Sequence, residues 1–141
     1  MICGFATLVR KRHLKFKFKY FRKITMNNQE IEEKLFKLLE DIKDKQVIVE
    51  GKRDREALCL FGFTKIITIN QGLYETAEQI KGKEIVVLTD FDPEGKKIAK
   101  KLNLFLQSLG FKVDRETRRK IGFMFARLKI KKIEELRGVL K

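Results

Sequence analysis

The chain has 141 residues, 43% apolar and 37% charged, with a formal net charge of +14 and a pI of about 9.9. That length suits one domain with short additions, and no apolar run approaches the ~20 residues of a membrane-crossing helix. The single histidine, His13, has no neighbouring ligand type, and Cys3 and Cys59 lie far apart, so the chain holds no His/Cys metal or thiol-redox motif.

The excess of Lys and Arg favours acidic partners such as nucleic acid, an anionic membrane or an acidic protein, unless it is simply a Lys-rich solvated surface. Nothing points to an oxidising compartment, and the chain reads as soluble and cytoplasmic.

Residues 1–25 hold eight Lys and Arg and no acid, so +8 of the +14 sits there. LKFKFKYF within it alternates like a strand. Three readings compete: a basic arm for nucleic acid, a targeting peptide, or, preferred, a mis-set start or unstructured tail with the true start at Met26.

From Met26 the pattern changes. Asn28 is placed to cap a helix running to about Ile42, with Ile31, Leu35, Leu38, Leu39 and Ile42 on one stripe, so that residues 26–43 form an N-terminal helical unit. KQVIVEG, 45–51, is a short β-branched run typical of a buried strand. Asp54 is read as the N-cap of a helix through REALCLFGF, in which Cys59 is a small buried hydrophobe. KIITIN, 65–70, is a second strand. Gly72 marks a turn, and LYETAEQIKG is a short helix with Gly82 as its stop.

EIVVLTD is the third strand. Pro93 opens a helix whose stripe is Ile98, Leu102, Phe105, Leu106 and Leu109, and Gly110 ends it. FKV is a short fourth strand. Asp114 caps a helix to about Leu128, with Phe123 and Phe125 read as core, and IEELRGVL is the last helix. Strands alternating with helices through short connections predict a mostly parallel sheet of about four strands, flanked by helices.

In such sheets ligands gather beyond the carboxyl ends of the strands. Glu50 follows the first strand, and Asp90 and Asp92 follow the third, so neighbouring strands would bring three acids to one edge. Clustered carboxylates repel one another and lose hydration unless something positive offsets them. Hard oxygens without His or thiolate suit Mg²⁺, with Mn²⁺ as the substitute, and Mg²⁺ is commonly completed by substrate phosphates.

The competing reading is a turn with a helix cap after a strand. An EF-hand loop is excluded because the twelfth position from Asp90 is Lys101. A phosphatase of the D-x-D type lacks its downstream acids, and there is no P-loop or dinucleotide fingerprint.

VIVEGKRD, followed some 40 residues later by VVLTDFDPEG, resembles the Toprim domain over roughly residues 44–113. This metal-binding Rossmann-like domain is shared by topoisomerases, primases and some nucleases. VDRETRRKIG adds a likeness to small stand-alone archaeal members. The resemblance implies a Toprim core over 44–113 and a helical segment over 114–141. It implies Glu50 as general acid/base with a share in metal binding, and Asp90 and Asp92 as metal ligands. Gly51, Lys52, Asp54, Glu94, Gly95 and Lys96 are carried as outer or phosphate-facing positions, with Asp54 read as a helix cap rather than a ligand.

Lys96, Lys97, Lys100 and Lys101, and the cluster Arg115, Arg118, Arg119 and Lys120, could track a phosphate backbone; a solvated helix face is the alternative. The leading functional reading is Mg²⁺-dependent phosphodiester chemistry on RNA or DNA, as a nuclease. The alternatives are a non-catalytic nucleic-acid-binding module, and nucleotidyl transfer or hydrolysis of a small phosphate ester. Tyr20 and Tyr74 lack a nucleophile's setting, so strand passage is not expected. Substrate and oligomeric state are not legible.

Overall fold

The computed structural model describes residues 26–69 and 72–140, and the basic segment 1–25 lies outside the described residues. Helix α1 spans Asn28–Ile42. Its cap is Asn27 rather than Asn28: Asn27 keeps the extended backbone a cap needs, and its side chain accepts from the Glu30 N–H at 2.8 Å. Ile31, Leu35, Leu39 and Ile42 are buried along one face, as the 3.6-residue period requires.

The following elements are β1 (Val47–Val49), α2 (Lys52–Cys59), β2 (Ile66–Thr68), α3 (Leu73–Glu78), β3 (Glu84–Val87), α4 (Pro93–Ser108), β4 (Lys112–Val113) and α5 (Arg115–Arg127). The predicted last helix begins as a 3₁₀ turn over Ile133–Glu135 and becomes α6 at Leu136–Val139. All four strands are parallel, in the order β2-β1-β3-β4.

The sheet has a core on each face. Val47, Val49, Val86 and Leu88 pack with α1, Leu58, Ile121 and Phe125. Ile48, Ile67, Ile85 and Val87 pack with Ala77, Ala99, Leu102 and Leu106. Consecutive strand residues therefore enter opposite cores, so the strands are continuously apolar rather than alternating.

Three local expectations fail. Cys59 is exposed, because α2 turns Ala57 and Leu58 to the core and leaves Cys59 on the outer side. Leu109 is 49% exposed, because α4 ends at Ser108 and its buried stripe stops at Leu106. Helix α3 ends at Glu78, short of Gly82, where Ile80 turns inward and the Lys81 N–H is held by Gln46 Oε1 at 2.8 Å.

Candidate metal centre

The β1–β3 ladder ends where the Leu88 N–H meets Ile48 O at 2.7 Å. Beyond it a side chain replaces the backbone: the Asp90 N–H donates to Glu50 Oε2 at 2.8 Å. Neighbouring parallel strands thus deliver Glu50 and Asp90 to one edge.

Asp54 joins them. Gly51, not Asp54, is the N-cap of α2, and Asp54 lies three residues into the helix. Its Oδ2 reaches back to the Gly51 N–H at 3.3 Å, and the Glu134 N–H also bonds this carboxylate. One oxygen from each of Glu50, Asp54 and Asp90 lies within 4.8 Å of the other two. Asp92 is placed differently: it is the N-cap of α4, its Oδ1 accepting from the Gly95 N–H at 2.7 Å.

Burial raises Asp90 to about 6, and Glu50 and Asp92 add to the rise against the opposing bond from the Ile133 N–H. Asp54 is likewise pushed to about 6 by burial and then by the Asp90 charge. Acids held together at this cost form the setting a cation relieves. Three hard oxygens with no nitrogen or sulfur ligand fit a divalent ion of the Mg²⁺ or Mn²⁺ kind.

Several further residues hold the acids in place, among them Arg118 and Gly95, which the sequence had pointed towards phosphates, and Phe91, Thr89 and Ile133, which it had not singled out. Strand β4 pairs with β3 only at Glu84↔Lys112 and Ile85↔Val113, so the rest of β3's outer edge lacks a strand partner. Arg118 on α5 fills that role, donating to Val87 O at 3.1 Å, Thr89 O at 2.9 Å and Asp90 O at 3.2 Å. Burial lowers its guanidinium to about 10, against the pull of Glu50 and Asp90.

The same guanidinium lies 4.5 Å over the Phe91 ring. Phe91 also packs on Phe125, centroids 4.9 Å apart, and against Gly122, where a Cβ would approach to 2.9 Å. The residue between the two aspartates is therefore an anchor.

Gly95 is required by close approach, since a Cβ there would lie 2.1 Å from Asp90 O. Buried Thr89 ties β3 to α4 through its hydroxyl, which donates to Gly95 O at 2.8 Å. The C-terminal segment closes the far side. The Ile133 N–H donates to Asp90 Oδ1 at 2.9 Å and the Phe91 N–H to Lys131 O at 2.6 Å. Glu135 Oε1 accepts from the N–H groups of Lys131 and Lys132 at 3.1 and 2.9 Å. A Glu three residues after Lys132 was the one sequence signal for this turn, and it said nothing of Asp90.

The remaining predicted positions are peripheral. Lys52, Glu94, Lys96, Arg115 and Lys120 are exposed. Arg119 pairs with Glu116 on its own helix. The predicted arginine cluster is thus divided, with Arg118 turned inward and its neighbours outward.

The model of the Toprim domain family matches residues 45–124, more than half of the chain. A UPF0292 protein of Methanocaldococcus jannaschii is 36% identical over 120 residues, covering 79% of this chain and 93% of that protein. The UPF0292 protein of Archaeoglobus fulgidus is 35% identical over 106 residues, covering 72% and 85%. A solved structure of an Aquifex aeolicus protein superposes with a TM-score of 0.63 at 27% identity, covering 73% of this chain and 95% of that one. Among the described residues no helix is long and apolar enough to cross a membrane.

Proposed function

Because the chain belongs to the Toprim domain family, alongside the archaeal UPF0292 proteins, we propose that it is a divalent-metal-dependent nuclease acting on RNA or DNA. The observation that carries this reading is the approach of Glu50, Asp54 and Asp90 to within 4.8 Å, in a chain of net charge +14. Such a chain attracts a polyanion while keeping an acidic centre for the ion.

Glu50, Asp54 and Asp90 would hold Mg²⁺ or Mn²⁺. When bound, the ion would polarise the phosphodiester and offset charge on the attacking and leaving oxygens. Asp92 has a supporting role in this reading, fixing the start of α4 so that the Asp90 carbonyl and Gly95 stay in contact. Arg118 holds the β3 exit and offsets part of the acids' repulsion. Glu50 is assigned proton transfer to the leaving hydroxyl.

The test is incubation of the protein with structured RNA and with DNA in Mg²⁺ or Mn²⁺. Metal-dependent cleavage is expected, reduced at least ~100-fold in Glu50→Gln. Cleavage that survives this substitution contradicts the assignment. Salt-sensitive binding with no cleavage under either metal would leave a binding module instead.

A further inference from the structure

Beside the carboxylates, α4, α5 and the segment after α5 line a half-open cavity of about 650 Å³. Its charged lining is Lys96, Arg115, Arg118, Arg119, Lys129 and Lys131, and no acid lines it. Phe91, Gly122, Ala126 and Ile130 form the apolar remainder. The larger cleft of about 940 Å³ at the amino ends of the strands is different. Asp44, Glu84, Asp114 and Glu116 interrupt its cations, and the ion pairs Lys45–Asp114 and Lys112–Glu84 lie along it, each at 4.0 Å.

In the smaller cavity Arg118 is taken up by backbone carbonyls and Arg119 by Glu116. Among the described residues no ion pair engages Lys96, Arg115, Lys129 or Lys131. Among the described residues, four cations thus share one space without an ion-pair partner, and an anion would offset their charge.

Lys129 has φ of +58°, the one non-glycine residue at positive φ among the described residues. Lys129 is the residue after the α5 C-cap, where the Ile130 N–H closes on Phe125 O at 3.0 Å and a left-handed backbone is the usual helix stop. The cavity also shares a wall with the carboxylates: Phe91 lies between Asp90 and Asp92, and Arg118 lines the cavity while bonding Asp90 O.

We propose that this cavity receives a single nucleotide of an unpaired strand. Its phosphate would lie among Lys96, Arg115, Lys129 and Lys131, and its sugar and base against Phe91, Ala126 and Ile130. The assignment rests on the nucleic-acid reading above and names the strand form it acts on. The volume is that of a small-ligand site, within the usual range of ~300–1,000 Å³. Phosphate alone would leave the apolar side unused. A duplex backbone would meet the lysines and arginines alone and leave Phe91 and Ile130 unused.

The test is fluorescence anisotropy of a short single-stranded oligonucleotide in EDTA, so that neither metal nor cleavage enters the readout. Ala126 is exposed on α5, so Ala126→Glu sets an acid in the cavity without disturbing the core. Lys129→Gly removes a charge where glycine suits the backbone. We expect at least ~10-fold weaker binding for Ala126→Glu and roughly threefold weaker for Lys129→Gly. A nucleoside monophosphate should displace the strand better than inorganic phosphate, but bind less tightly than the strand itself.

Unchanged binding in both variants overturns the proposal, as does equal displacement by phosphate or tighter binding of the free nucleotide. If the variants bind normally while cleavage still depends on Glu50, only the cavity assignment fails. If Ala126→Glu loses binding while Glu50→Gln still cleaves, only the metal reading fails.

Discussion

Arg118→Met is expected to lower the melting temperature by about 10 °C and to weaken divalent-metal binding. The guanidinium bonds Val87 O, Thr89 O and Asp90 O, which no strand covers because β4 is too short. Removing it leaves three carbonyls at a partly buried sheet edge, and hydrogen bonds to a charged donor contribute ~1.5–3 kcal/mol each. Desolvation of the guanidinium itself offsets part of this, leaving about 3 kcal/mol net.

The loss should extend to the metal centre, because Asp90 leaves β3 through the segment that Arg118 holds. Arg118→Lys should recover only part of the stability, since a compact ammonium cannot span three acceptors. Thermal melts with and without Mn²⁺ check both points. A melting temperature within about 2 °C of the parent, the usual effect of a surface change, would show that Arg118 does not organise this edge.

Asp90→Asn is expected to stabilise the metal-free protein above about pH 7 while removing its response to metal. Asp90 and Asp54 are raised by burial to about 6 from 3.8. A raised carboxyl binds protons more readily folded than unfolded. Its contribution to stability is therefore present below about pH 4 and is lost as pH rises through about 6.

Asp114 acts in a different window. Burial favours a higher value there, but Thr117, Lys45 and Lys120 bring it below the usual one, so its contribution is lost only in more acid solution. Wild-type stability should thus fall between about pH 4 and 6, and Asp90→Asn should flatten that fall. The asparagine Oδ1 can still accept from the Ile133 N–H, so the fold is kept. Ligand at ten times its Kd adds ~1.4 kcal/mol to the wild type and nothing to a variant that cannot bind. Melts at two pH values, with and without Mg²⁺, read this out. A variant less stable than the parent at both would contradict it.

Much of this site was legible because it rests on two periodic features. Glu50 follows the strand VIV directly and Asp90 follows IVVL after Thr89, and parallel strands place their carboxyl ends together, so Glu50 and Asp90 meet as the order of elements implies. Asp54 was read as a cap because an acid near a helix start is the usual sign of one. The helix begins two residues earlier, at Lys52, and that offset turns Asp54 towards Asp90. Asp-Pro before a helix fits a cap as well as a ligand, and Asp92 Oδ1 caps α4.

Arg118 and the 3₁₀ turn at Ile133 act across the fold, 28 and 43 residues from Asp90. No local pattern carries contacts that distant. Phe91 was passed over because its neighbours supplied the chemistry, although its ring fixes the loop that presents them.

In the proposed centre Glu50, Asp54 and Asp90 hold the ion while Asp92 holds the helix. Calorimetric titration of the full chain with Mn²⁺, beside Asp54→Asn and Asp92→Asn, tests it most directly. The account predicts binding by the parent, at least ~10-fold weaker binding by Asp54→Asn, and near-parent affinity in Asp92→Asn, because asparagine caps a helix about as well as aspartate. Loss of binding in Asp92→Asn with Asp54→Asn unaffected would contradict it. So would a parent that takes up no Mn²⁺ even with an oligonucleotide bound.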